Sequence, residues 1–285
     1  MFPLADDLIA TQPYDAVFMG ACEGAKVLNV GKANEMENAD QGSALITGGA
    51  SGIGFAVAKQ LGLSGFTVTV LGSATESGKR AAAQLRDLGI DAVGEGADLA
   101  DASAVSLLRE RLGPLAQPQV LVCSAGVMSE KMSKTLKSSS EEWQRVMGIN
   151  LFGVVNTLTN FAPPMVAARS GRVIALSACL GRFSGPGTSG GLAPYRVSKA
   201  ALNALIRNFA AETGWGSRGV LVDAVCPNHC RTPMGGPDAP RSADQGAETV
   251  TWLAQTDLAG REQQLGEDKS PLTGLLWEDR QVIPW

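Results

Sequence analysis

Thr47-Gly48-Gly49-Ala50-Ser51-Gly52-Ile53-Gly54 is the stretch that decides the fold. A short apolar run at residues 44–47 leads straight into it, and an apolar-periodic stretch at 53–61 follows. Glycines in such a turn let the backbone bend sharply and approach a pyrophosphate, which then sits on the helix N-terminus. The spacing is G-x-x-x-G-x-G, not the commoner G-x-G-x-x-G. By itself it reads as a flexible turn as well as a phosphate site. Between the first strand and first helix of a β-α-β run, the phosphate reading is the stronger one.

The chain beyond that turn keeps the same rhythm. Strand-like runs fall at residues 44–47, 67–71, 92–97, 120–123, 173–176 and 220–225, with a last short one near 274–277. Helical patterns lie between them at 53–61, 76–88, 102–112, 141–168 and 195–213. Alternation of this kind predicts an α/β fold: one Rossmann-type, doubly wound parallel sheet of about seven strands with helices on both faces. Residues 42–285 form that one domain. Residues 1–41 are polar and acidic without a sustained period. They are expected to be an N-terminal extension, partly disordered or packed on the surface. Asp6 and Asp7 and the absence of a basic start argue against a signal or transit peptide.

Composition narrows the function. The 285 residues are 45% hydrophobic and 18% charged, which suits a globular protein with a sizeable core. A net charge of -4 gives no reason to expect nucleic acid or an anionic membrane as partner. No apolar stretch is long enough to span a bilayer. Five cysteines, scattered and odd in number, do not form a disulfide framework. Cys226, His229 and Cys230 raise the idea of zinc, but there is no second ligand pair at the right spacing, so no metal is expected. His229 is the single histidine, in a loop without a nucleophile elbow, which argues against a hydrolase triad.

Tyr195-Arg196-Val197-Ser198-Lys199 carries the chemistry. On a helix, i and i+4 share a face, so the tyrosine and lysine lie one turn apart. A phenol ionises near pH ~10, and a nearby ammonium stabilises the phenolate and lowers that value. Taken alone the spacing is also what an exposed helix face produces. Other polar residues belong to the same sheet edge, because ligands of open α/β sheets bind at the carboxyl ends of strands. Ser177 follows the fifth strand, Ser124-Ala125-Gly126 the fourth, and Asp98-Leu99 the third. Asn150 lies inside an apolar helix, where asparagine is a poor fit. Each has a bland alternative as a cap or a buried backbone partner; Asp101 is better placed than Asp98 to cap the following helix. After the second strand, Leu71-Gly72-Ser73 offers no carboxylate to bind a ribose diol or repel a phosphate, and Lys79 and Arg80 follow. NADP(H) is therefore favoured, with NAD(H) left open.

In order, these elements resemble the short-chain dehydrogenase/reductase family. The T-G-x-x-x-G-I-G loop spans Thr47 to Gly54, the aspartate after the third strand is Asp98, and the N-N-A-G element appears as Cys123-Ser124-Ala125-Gly126. Asn150, Ser177, Tyr195 and Lys199 fall where that family has its catalytic tetrad, and Pro227-Asn228-His229-Cys230-Arg231-Thr232 stands for P-G-x-x-x-T. The tail, including Thr232-Pro233-Met234 and the terminal tryptophan, resembles the carbonyl-reductase-like branch, without the long insertion its mammalian members carry between serine and tyrosine. The resemblance implies hydride transfer between nicotinamide and the carbonyl of a ketone, aldehyde or quinone. Tyr195 would act as general acid, Lys199 would lower its pKa and bind the ribose, Ser177 would donate to the substrate oxygen, and Asn150 would hold a water leading to Lys199. Gly48, Ser51, Gly52, Ile53, Gly54, Ser73, Asp98, Leu99, Ser124, Ala125, Gly126, Pro227, Asn228 and Thr232 would join Tyr195 and Lys199 around the cofactor. A 3-ketoacyl-thioester or sugar reductase uses the same tetrad, and a non-catalytic dinucleotide sensor is the rival from another class. Leu180, Phe183, Met234 and Trp252 are expected at the pocket lip. A cytoplasmic location is expected; homodimer, homotetramer and monomer all stay open.

Three departures stand out. Cys123-Ser124 replaces two asparagines, Asn228 replaces a glycine, and a charged stretch lies near residues 260–270. Asparagine tolerates positive φ better than other non-glycine residues, so the turn at Asn228 is expected to survive.

Overall fold

The computed structural model describes residues 42–130, 133–265 and 271–285. The expected extension at 1–41 and Cys22 lie outside the described residues. Among those described, eight strands form one sheet: β1 (Ser43–Thr47), β2 (Thr67–Gly72), β3 (Ala92–Gly96), β4 (Val120–Cys123), β5 (Gly171–Leu176), β6 (Val220–Val225), β7 (Leu276–Glu278) and β8 (Gln281–Ile283). Their order is β3-β2-β1-β4-β5-β6-β7-β8. All neighbours pair in parallel except β7 and β8. The order reverses between β1 and β4, which opens a crevice at their carboxyl ends.

The helices, in chain order, are α1 (Gly52–Leu63), α2 (Thr75–Arg86), α3 (Ala102–Leu112), α4 (Ser140–Met147), α5 (Gly153–Phe161), α6 (Pro163–Ala168), α7 (Ala193–Glu212), α8 (Ala243–Gln255) and α9 (Leu258–Leu265). One sheet face is covered by α1, α2 and α8 through Val57, Leu61, Leu85, Val250 and Leu253. The other is covered by α3, α5 and α7 through Leu108, Phe161, Leu202 and Ile206. With both faces covered, central strands must be apolar throughout, and β4 and β6 are buried at every position.

The structure departs from the expected pattern in three places, the first being α8 and α9, which were not among the expected helices. The single helix expected at 141–168 is interrupted by a π-helical segment, Gly148–Phe152, and broken again before α6. Pro163 and Pro164 break the ladder by lacking an N–H. The π segment carries Asn150, and single π turns inside helices recur at functional sites. At the other end, β8 adds an antiparallel edge strand beyond the expected parallel set.

Candidate active site

α7 begins at the sheet's ligand-binding edge. Leu192 turns the chain through a left-handed conformation, Pro194 occupies the first turn, and Tyr195 and Lys199 then lie on the buried face. Ser129 Oγ accepts the backbone N–H of Tyr195 at 2.8 Å, meeting one of the donors a helix start leaves open. Ser198 Oγ donates to the Tyr195 carbonyl at 2.7 Å and accepts from Asn150 Nδ2 at 3.0 Å. Asn150 also clamps Val127, accepting its N–H at 2.8 Å and donating to its carbonyl at 2.9 Å. The awkward helical asparagine thus has its reason: its amide ties the π segment, the strap after β4 and α7 together. Glu142 and Arg145 of α4 extend the clamp, to the Glu130 N–H and the Met128 carbonyl, each at 2.8 Å.

Lys199 Nζ donates to the Leu176 carbonyl at 2.7 Å and sits 5.8 Å from the Tyr195 ring centroid. A Cβ placed on Gly126 would lie 3.3 Å from Asn150 Oδ1 and 3.6 Å from Lys199 Nζ, so only glycine leaves this junction open. Burial pulls the Lys199 ammonium down to about 8, because a low-dielectric setting disfavours the charged form. The phenol of Tyr195 differs from the sequence expectation. Burial, with smaller contributions from Cys226 and Cys179, pushes its pKa up rather than down. The ammonium is engaged with a carbonyl, and desolvation of the phenolate dominates.

Ser177 Oγ donates to Asn203 Oδ1 at 2.5 Å, and Asn203 Nδ2 donates to the Gly181 carbonyl at 3.3 Å. Asn203 was not among the expected site residues. Its signal was present: Tyr195, Lys199 and Asn203 repeat at four-residue spacing, a polar stripe on a buried helix face.

Two connected clefts run along the carboxyl edge. One, of about 740 Å³, is lined by Gly48, Ser51, Ser73, Asp98, Leu99 and Ala125, together with Arg80, noted in the sequence after the second strand, and Ser77, which sequence reasoning did not place there. The second, of about 250 Å³, is lined by Gly52, Ile53, Ser124, Gly126, Ser177, Tyr195, Lys199, Pro227, Thr232 and Met234. Gly54 opens α1 behind the loop, and Asn228 adopts φ 61°, the left-handed turn expected of it. Thr47 Oγ1 accepts the N–H groups of Ser124 and Ala125 at 3.1 and 3.3 Å, bracing the two strand ends where the asparagines are missing. Asp98 receives the Ala100 N–H at 2.9 Å, while Asp101 caps α3 as expected. Phe183 is exposed and Met234 reaches the cleft, whereas Leu180 is half-buried in the turn after β5. Trp252 does not reach the cleft. It packs edge-on against Trp277, with centroids 5.2 Å apart, beneath the opposite sheet face. No cluster of three or more His, Cys, Asp or Glu suited to a metal occurs among the described residues.

A family model for short chain dehydrogenases matches residues 43–242. The chain belongs to the short-chain dehydrogenase/reductase family. It is similar to a 3-oxoacyl-(acyl-carrier-protein) reductase of Staphylococcus aureus, 33% identical over 194 residues that cover 67% of this chain and 76% of the relative. A galactitol 2-dehydrogenase of Rhizobium johnstonii is 28% identical over 220 residues, covering 76% and 80%. Among solved structures, a putative NAD(P)-dependent gluconate 5-dehydrogenase from Beutenbergia cavernae with bound NADP superposes with a TM-score of 0.70 at 25% identity, covering 84% of this chain and 95% of that one. This short-chain dehydrogenase/reductase is an NAD(P)-dependent oxidoreductase.

The residues present fit a dinucleotide. Gly48 has φ 66°, and a Cβ there would lie 2.7 Å from the Ala125 nitrogen. A side chain would both strain the turn and close the cradle. Ser51 occupies the N-cap of α1 without capping it. Its hydroxyl and the helix N-terminus are left facing the cleft, where they suit an anion.

Proposed function

We propose that this enzyme reduces the carbonyl of a small lipophilic ketone, aldehyde or quinone, with NADP(H) as the favoured cofactor. One observation carries the reading: Ser177, Tyr195 and Lys199 line one cleft. A protonated phenol is a general acid ready for reduction, whereas oxidation requires its proton to be removed first. The bound cofactor supplies the hydride to the carbonyl carbon. Ser177 has one hydroxyl proton, which it gives to Asn203 Oδ1 in this structure, and it turns that proton to the carbonyl oxygen as negative charge develops there. Tyr195 transfers its proton to that oxygen, which is far more basic than a phenolate. Lys199 stabilises the phenolate left behind and binds the cofactor's ribose. Asn150 keeps Gly126 and Val127 beside Lys199, where a water can reprotonate the amine left once the ammonium has passed its proton to the phenolate.

The apolar mouth favours a lipophilic substrate. Met234 and Pro233 line the inner cleft, and Phe183 is exposed on the segment that follows Ser177. A second reading, reduction of a 3-ketoacyl thioester, is favoured by the staphylococcal relative. Following nicotinamide absorbance with NADPH and NADH against aldehydes, ketones, quinones and a 3-ketoacyl thioester separates the two. Tyr195→Phe is expected to abolish reduction while cofactor still binds. Full turnover in that variant would overturn the assignment.

A further inference from the structure

Two thiols meet in the wall of this site. Leu176 and Val225 are the last registered pair of β5 and β6, and the Ser177 N–H extends that ladder to the Val225 carbonyl at 2.8 Å. The chain then turns through Cys179–Gly181, and the Cys179 N–H comes back to donate to Cys226 Sγ at 3.0 Å. The closeness of Cys226 holds the Cys179 thiol below its ordinary value, and Cys179 in turn pushes Cys226 up. Arg182 adds to the first effect and Glu278 opposes it. Cys179 is half-buried, whereas Cys226 is buried beneath it.

We propose that Cys179 and Cys226 form an oxidation site in the active-site wall, where a hydroperoxide converts the thiol pair to a disulfide and shuts off the reductase. With its backbone nitrogen 3.0 Å from Cys226 Sγ, Cys179 carries its own sulfur within reach of the close Cβ approach that a disulfide needs. Of the two thiols, Cys179 is the one shifted toward its thiolate, and the thiolate is the nucleophile. Its sulfur attacks one peroxide oxygen and breaks the O–O bond; the departing oxygen takes a proton and leaves as an alcohol, or as water from hydrogen peroxide. The resulting sulfenic acid is attacked by Cys226 sulfur. The S–S bond forms, the S–O bond breaks, and the hydroxide leaves as water with the Cys226 proton. Two sulfurs have lost one electron each, and the peroxide has gained both.

Neither remaining described cysteine competes. Burial pushes Cys123 up to about 12, and Cys230 Sγ is engaged with the Pro227 carbonyl at 3.2 Å. The consequence for the site follows from the segment's short reach. Ser177 precedes Cys179 by two residues, and Asn203 grips both ends of the turn, at Ser177 Oγ and the Gly181 carbonyl. Drawing the Cys179 sulfur into a bond with Cys226 displaces a turn whose other end is the serine that must meet the substrate oxygen.

The shut-off rests on the reductase reading, but the bond does not, so the two are measured separately. The full chain is treated with hydrogen peroxide, blocked with an alkylating agent, digested without reductant and mapped by mass. A Cys179–Cys226 linked peptide is expected, with loss of NAD(P)H-dependent reduction that dithiothreitol restores. Cys179→Ser and, as a second variant, Cys179→Ala are expected to keep their starting activity through the same treatment. Unlinked Cys179, or a bond from Cys226 to Cys230 instead, would overturn the site. A linked peptide with unchanged activity would overturn the switch. Untreated protein without reductase activity would fail the reductase reading, and the peptide map would still decide the thiol pair.

Discussion

Ser177 Oγ donates to Asn203 Oδ1 at 2.5 Å, so the hydroxyl that faces the cleft is already oriented by the turn of α7 beyond Lys199. Asn203 therefore orients the serine hydroxyl. Removing the serine donor by Ser177→Ala is expected to lower kcat by about 10²–10³-fold, the scale for one lost oxyanion donor. Asn203→Ala frees the hydroxyl to rotate and is expected to cost about tenfold in kcat with little change in KM. Asn203→Asp keeps the acceptor but adds a charge that opposes the developing alkoxide, so kcat falls further. Steady-state kinetics of the three variants check this; an unchanged kcat in Asn203→Ala would exclude the positioning role.

Lys199 makes the reaction depend on pH in a direction that follows from its burial. Its pKa is drawn down to about 8, so it is cationic below that value and neutral above it. In the proposed mechanism the cation stabilises the phenolate that Tyr195 becomes after giving up its proton. Reduction is therefore expected to fall as pH rises through about 8. Lys199→Arg retains a charge throughout and is expected to be slower at neutral pH without that descending limb. A wild-type kcat profile that stays flat up to the normal phenol range near pH ~10 would contradict the role.

The fold was legible because each covered strand is a run of apolar residues bounded by a helix pattern. The π segment was not, since Gly148-Ile149-Asn150 reads as an ordinary helix until Val127 is brought against it. β8 escaped for a local reason. Its turn places Asp279 and Arg280 at φ 51° and 59°, positions where asparagine or glycine is the usual signal. Tertiary contacts supply what the turn residues lack: Arg241 grips Asp279 with bonds of 2.5 and 2.6 Å, and the Arg280 N–H donates to Thr249 Oγ1 at 3.2 Å. The start of α8, by contrast, carries its signal in Ser242-x-x-Gln245, whose side chains cap each other's backbone. That Ser177, Tyr195 and Lys199 would share one cleft could be read from motif order, but the upward direction of the Tyr195 shift could not, because it depends on burial.

Arg80 bears on the choice between cofactors. It lines the outer cleft with Ser73 and Ser77, and Asp98 is the one carboxylate among the lining residues. Arg80→Ala removes the cation available to a ribose 2′-phosphate. A charge-assisted hydrogen bond contributes about 1.5–3 kcal/mol, so KM for NADPH is expected to rise roughly 10–100-fold while KM for NADH barely moves. Ser73→Asp, which sets a carboxylate against the phosphate, is expected to reverse the preference. Equal rises in both KM values for Arg80→Ala would show that it does not discriminate.

Asp223 and Arg261 form a fully buried ion pair that fixes the carboxyl-terminal part of the chain to the sheet. The carboxylate on β6 accepts from Arg261 of α9, from the Leu275 N–H at 3.1 Å, from Trp277 Nε1 at 3.2 Å and from Thr273 Oγ1 at 3.3 Å. Of the charged stretch expected before the last strand, Arg261 is thus core, and residues 266–270 lie outside the described residues. Removing one partner leaves the other charged and buried, which typically costs about 3–5 kcal/mol. Asp223→Ala is therefore expected to lower the urea midpoint strongly. The paired change Asp223→Leu with Arg261→Met, which removes both charges and keeps apolar volume, is expected to recover most of that loss. Urea unfolding of the single and double variants measures the coupling directly. If the double variant is as unstable as the sum of its single changes, the two side chains do not act as a pair.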